Sequence, residues 1–88
     1  MGVQLTSRQI ARLSKSIGQE IRGARLAKKL TQAQLGAKLG VSESRISHLE
    51  LGLKEPFMST LIRVAKALDL DATTFVYPAL LQFTPKSR

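Results

Sequence analysis

Residues 30–50 read Leu30-Thr31-Gln32-Ala33-Gln34-Leu35-Gly36-Ala37-Lys38-Leu39-Gly40-Val41-Ser42-Glu43-Ser44-Arg45-Ile46-Ser47-His48-Leu49-Glu50, and the fold turns on them. Thr31 caps a helix at its N-terminal end, with Gln34 as its box partner three positions on. Leu30 and Leu35 stand at the two positions of a hydrophobic staple. The helix sends Leu35 and Leu39 inward. It stops at Gly40, where the missing Cβ permits the left-handed conformation that ends a helix. Only Val41 separates that glycine from Ser42, a second N-cap, and Val41 and Ile46 repeat the staple. Ile46 and Leu49 give the second helix its inward face. With Gly40-Val41-Ser42 as the whole connection, the two helices have to meet at a steep angle, as in a helix-turn-helix unit. Gly36 suits that geometry, because the first helix needs a small residue where the second crosses it. An ordinary helical hairpin is the alternative, and the repeated cap, box and staple features weigh against it.

Upstream, Ile10, Leu13, Ile17, Ile21 and Ala24 recur at spacings of three and four, which places them on one helical stripe. Gly18 and Gly23 each cost up to about 1 kcal/mol relative to Ala in a helix. They predict a break, with a short leading helix over 7–15 and a main one over 17–28. Downstream, a polar bend runs from Leu51 to Pro56. Leu61, Ile62, Val64, Ala65 and Leu68 then predict a fourth helix over 59–68, with Asp71 or Thr73 placed to cap another. The tail supports two readings. Thr74-Phe75-Val76-Tyr77 favours strand by composition, yet a lone strand needs a partner. Pro78 opposes a helix interior but is tolerated in a first turn. A short last helix is the preferred reading and a dimer-forming strand the other. The expected class is all-α, a bundle of some five helices around a helix-turn-helix with an extra leading helix. Its parts are a basic extension over 1–16, the helix-turn-helix domain over 17–71, and an apolar C-terminal segment over 72–88 with a frayed end.

Composition narrows the function. The chain has 88 residues, 43% of them apolar, enough for one domain. A domain this small buries only about 60–65% of its surface, so a partner subunit would help it. There is no Cys and the one His is His48, which excludes a disulfide scaffold, a Cys-type zinc site and a thiol nucleophile. His48 has only Ser47 and Glu50 as generic helix neighbours, so neither metal binding nor catalysis is expected of it, nor any cofactor. Fourteen Lys and Arg against six Asp and Glu give +8, a balance that calls for a polyanionic partner. The excess is uneven. Residues 1–30 hold seven basic groups and one acid, Glu20, whereas residues 31–60 are balanced. No apolar run approaches ~18 residues and the start is unlike a signal peptide, so the expectation is a soluble cytoplasmic protein of bacterial or phage type, associated with the nucleoid and not with a membrane.

In order and in register, Ile17-Gly18, Ile21-Arg22, Arg25, Leu30-Thr31-Gln32, Leu35-Gly36, Leu39-Gly40-Val41-Ser42, Ile46-Ser47, Leu49-Glu50, Gly52, Pro56 and Leu61 through Leu68 resemble the helix-turn-helix domains of the phage lambda repressor and Cro class. That class also includes bacterial xenobiotic-response-type regulators and many antitoxins. The resemblance implies that Gln32 holds a backbone phosphate and that Ser42–Leu49 is the recognition helix. Glu43, Ser44, Arg45, Ser47 and His48 then match base-contacting positions, while Arg22, Ser42 and Lys54 join Gln32 on the phosphates. Arg25 and Glu50 match an internal salt-bridge pair. Two departures stand out: Gly36 replaces the usual Ala, and Pro56-Phe57-Met58-Ser59 displaces or removes the usual cap of the fourth helix.

The residues point the same way without the resemblance. A helix about 10–12 Å across fits the ~12 Å major groove of B-DNA. Small residues at 44 and 47 allow close approach, and their hydroxyls donate to or accept from several base edges. Glu43 either accepts from the N4 amino group of cytosine or acts as a favourable charge in the helix's first turn. Arg45 suits a guanine or a phosphate. The function expected is sequence-specific binding of double-stranded DNA by a homodimer on a palindrome, repressing transcription, with dimerisation through the apolar C-terminal segment. An antitoxin that binds a toxin and its operator is the main alternative, its protein face drawn from Phe57, Met58, Phe75, Tyr77, Leu80 and Phe83. A non-DNA adaptor is a lesser one. No small-molecule effector is expected in so short a chain.

Overall fold

In the computed structural model, residues 3–83 are described, and they form α1 (Ser7–Ala27), α2 (Gln32–Leu39), α3 (Glu43–Leu51), α4 (Met58–Ala67) and α5 (Thr73–Leu80), followed by a 3₁₀ turn at Leu81–Phe83. No strand occurs among the described residues. The expected frayed end over 84–88 lies outside them.

The predicted break near residue 16 does not occur: α1 is a single helix of 21 residues. Two forces hold it together. Thr6 opens it with a complete capping box, its Oγ1 accepting from the Gln9 amide at 3.1 Å while its own amide donates to Gln9 Oε1 at 2.7 Å. Gly18, weighed above as a breaker, is instead where α3 crosses. A Cβ there would stand 2.4 Å from the Glu50 carbonyl oxygen. The glycine serves a tertiary contact, and the buried stripe of Ile17 and Ile21 carries the helix through it.

The α2–turn–α3 unit follows its local signals. Thr31 Oγ1 accepts from the Gln34 amide at 3.0 Å, and the Thr31 amide donates to Gln34 Oε1 at 2.8 Å. Gly40 ends α2 with φ 72, and the Val41 amide donates to the Gly36 carbonyl at 2.9 Å. Ser42 caps α3 through the Arg45 amide at 3.1 Å, but Arg45 in the third helical position cannot close a second box. A Cβ at Gly36 would lie 2.7 Å from the Val41 carbonyl oxygen, so this helix approach is as close as the short connection requires.

Phe57 leads α4 without a side-chain cap. Before α5, Asp71 Oδ1 accepts from the Thr73 amide at 2.9 Å and from its hydroxyl at 2.8 Å. The tail resolves to helix despite Pro78, which lies inside it. Helical spacing buries Phe75 and Ala79 in the bundle and half-buries Val76. A lone strand would leave its backbone groups unpaired. Every helix supplies the core, through Ile21, Leu35, Ile46, Val64 and Phe75. Each such side chain contributes about 1.5–3 kcal/mol on burial.

Candidate nucleic-acid interface

A buried ion pair joins α1 to α3. Arg25 and Glu50 are 6% and 5% exposed, with Arg25 Nε donating to Glu50 Oε2 at 2.6 Å and Nη2 to Oε1 at 3.0 Å. Arg25 Nη1 donates to the Leu30 carbonyl at 2.7 Å, which ties down the corner before α2. Donation to the Glu50 carboxylate holds the Arg25 pKa above the ordinary guanidinium value, against the opposing effect of burial. Glu50 accepts a further bond from Gln32 Nε2 at 3.0 Å. One carboxylate therefore fixes both the α1–α3 crossing and the side chain that begins α2. Among the described residues, the second Nε2 proton of Gln32 and the backbone amides of Gln32 and Ala33 have no hydrogen-bond partner.

These groups floor an open cleft between α1 and α3. Its walls are Lys15, Gln19 and Arg22 from α1, Thr31 and Gln32 from the start of α2, and Glu43, Ser47 and Leu51 from α3. Cations dominate the α1 wall. Among the described residues, Glu43 is the one acid lining the cleft without an ion pair, and it comes from α3.

At 100° per residue, Ser47, Leu51, Ser44 and His48 occupy an arc of about 100° on α3, opposite the buried Ile46. Ser44, His48 and Leu51 are exposed and Ser47 is half-buried at the cleft edge. Glu43 lies about 40° before Ser47, and Arg45 about 60° beyond His48. Arg45 is thus on the margin of the face, away from the cleft. Ser42 uses its oxygen to cap α3, leaving its proton to donate, and Lys54 is exposed in the loop after α3.

Three lining residues escaped the sequence reading. Leu51 is 59% exposed beside Ser47, an apolar tip suited to a thymine methyl group. Its signal was the spacing of four and seven from Ser47 and Ser44. Lys15 and Gln19 share a face with Arg22 at the same intervals. Among the described residues, no cluster of His, Asp or Glu is arranged to hold a metal ion, and no helix is long and apolar enough to cross a membrane.

A second concavity is apolar. Leu13 and Ile17 of α1, Pro56, Phe57 and Met58 before and at the start of α4, Ile62, and Val76 and Leu80 of α5 line it. Phe57 is 78% exposed at its rim. Phe75, named above as a candidate for partner contact, is fully buried in the domain's own core and is withdrawn from that role.

Comparison with known proteins agrees with this geometry. The helix-turn-helix family model HTH_3 matches residues 21–75. The HTH-type transcriptional regulator y4dL of Sinorhizobium fredii is 46% identical over 55 residues, which is 62% of this chain and 28% of that one. The immunity repressor protein of Bacillus phage phi105 is 38% identical over 61 residues, 69% of this chain and 42% of that one. The chain therefore spans less than half the length of these curated relatives. Among solved structures, the P22 c2 repressor in complex with a synthetic operator superposes with a TM-score of 0.62 at 35% identity, covering 68% of this chain and 91% of that one.

Proposed function

Because the chain belongs to the Cro/C1-type helix-turn-helix family, we propose that it binds double-stranded DNA in a sequence-specific manner and represses transcription as a homodimer on a palindromic operator. The observation that carries the reading is the juxtaposition at the α1–α3 cleft. The Ser44, Ser47, His48 and Leu51 face of α3 adjoins donors from Gln32, Lys15 and Arg22. With α3 in the major groove, its hydroxyls and Leu51 meet base edges while a phosphate ridge sits against the α1 wall and the start of α2. Glu43 accepts from a cytosine amino group or turns away sequences that bring a phosphate too close. Arg45 on the margin and Lys54 in the loop are assigned to backbone. Arg25 and Glu50 position Gln32 and touch no base.

The homodimer rests on the apolar groove. One domain of this size reads only a few base pairs, and two related by a twofold axis read half-sites about 34 Å apart. A self-complementary face is what a twofold interface requires. We assign that role to the groove between α1, α4 and α5, which is lined by the exposed Phe57 and Leu80. An antitoxin would use the same apolar face for a different protein. Footprinting on the DNA around the protein's own gene tests the reading: protection of two symmetric half-sites supports it. Binding with no preferred sequence, or protection of one isolated half-site by the dimer, overturns it.

A further inference from the structure

The first fourteen residues of α1 lie outside the stretch that matches the helix-turn-helix family, which begins at residue 21. They are not plain. Arg8, Arg12, Lys15, Gln19 and Arg22 follow one another at intervals of four, three, four and three, and all five are exposed. At 100° per residue they occupy an arc of about 80°. Glu20, the one acid of this helix, lies about 120° round from the middle of that arc, so the stripe carries a single sign. A solvated helix face that merely keeps a protein soluble has no need of such segregation.

The stripe also has a direction. Its C-terminal members, Lys15, Gln19 and Arg22, line the cleft beside Ser47 and Gln32. Gly18 lies against the Leu49 and Glu50 carbonyls, and the backbone of Gly52 closes on that of Lys15. The helix therefore crosses the end of α3 at residue 15, and its first two turns continue beyond the recognition helix. From Lys15 to Arg8 is seven residues, or about 10 Å. That is roughly three base-pair steps at 3.4 Å each.

We propose that the N-terminal half of α1 is a second DNA-contacting element, in which Arg8 and Arg12 extend the line of Lys15, Gln19 and Arg22 along the sugar-phosphate backbone outside the bases read by α3. This rests on the DNA-binding reading above and adds to it a contact that carries affinity without sequence preference. The guanidinium groups meet phosphate oxygens, and each neutralised phosphate releases condensed counterions.

The test compares the full chain with the Arg8→Gln, Arg12→Gln double variant, in which Gln retains helix propensity. The probe is a duplex carrying the motif recovered by selection from randomised DNA, used with long flanks and trimmed to the motif. Each lost phosphate contact lowers the slope of log K against log salt by about 0.9. Two lost contacts make the parent's affinity fall about 60-fold more than the variant's over a tenfold rise in salt. The selected motif should be the same for both proteins, and trimming the flanks should weaken the parent but not the variant. An unchanged salt slope in a variant with parental helical content overturns this proposal and leaves the DNA-binding reading intact. A parent that shows no salt-dependent binding to any duplex overturns both.

Discussion

Gly18 of α1 and Glu50 of α3 touch through backbone, with room for no side chain between them: a Cβ at position 18 would stand 2.4 Å from the Glu50 carbonyl oxygen. The contact sets the distance between α1 and α3. Gly18→Ala is expected to lower stability by about 1–3 kcal/mol through overpacking, even though Ala is the better helix former. Gly23→Ala, with nothing within 4 Å of the new methyl, should raise stability by up to about 1 kcal/mol. Urea unfolding of the two variants measures both signs.

Removing one member of the Arg25–Glu50 pair leaves the other buried and uncompensated. Arg25→Ala should cost about 3–5 kcal/mol. An Arg25→Met, Glu50→Leu double variant should recover most of that stability, because both charges go at once. It should still bind DNA more weakly, since Gln32 loses the carboxylate that orients it. Unfolding and DNA titration of the same preparations separate the two effects.

Gln32 and the exposed face of α3 should fail in different ways. Gln32→Ala is expected to weaken specific and nonspecific duplexes by similar factors. Ser44→Ala, Ser47→Ala and Leu51→Ala should change the motif recovered from randomised DNA while leaving helical content intact. A typical cost is about 1–3 kcal/mol at the base concerned.

Asp71 makes a pH-dependent side-chain turn at the entry to α5. The Thr73 amide, and then its hydroxyl, hold the Asp71 carboxyl below the ordinary value of 3.8. The contribution of this turn is fully present above that ordinary value and is lost as pH falls through the lowered one. An NMR titration should place the Asp71 midpoint below 3.8, with the Thr73 amide shifting in step. Asp71→Ala should abolish that amide transition and increase fraying at the start of α5 at neutral pH.

The proposed dimer can be tested at the groove rim. Phe57→Ser together with Leu80→Ser removes two exposed apolar side chains that line the groove. Sedimentation equilibrium should show a shift to monomer without loss of the fold, and operator affinity should fall more than affinity for one half-site.

The sequence was most legible where structure is locally determined. Thr31, Gln34, Gly40 and Ser42 act on backbone groups within a few residues, so their spacing alone located α2, the turn and α3. Gly18 was misread because its purpose is a crossing with residues more than thirty positions away, which helix propensity does not register. Pro78 left the tail ambiguous, and burial of Phe75 decided it in favour of helix. In the cleft, the α3 residues were visible as one face. Lys15 and Gln19 belonged to it only once the path of α1 was known.

The continuity of α1 has a mechanical consequence. Its Leu13–Ile17 flank borders the apolar groove, and its Lys15–Arg22 flank borders the polar cleft. A 21-residue helix without a joint works there as a strut, about 31 Å long. With a second copy seated in the groove, such a strut holds the two reading heads like the fixed jaws of a caliper. A caliper of that kind rejects mis-set spacing instead of flexing to meet it. Adding one base pair between half-sites displaces one jaw by about 3.4 Å, and sets it out of phase with its groove as well.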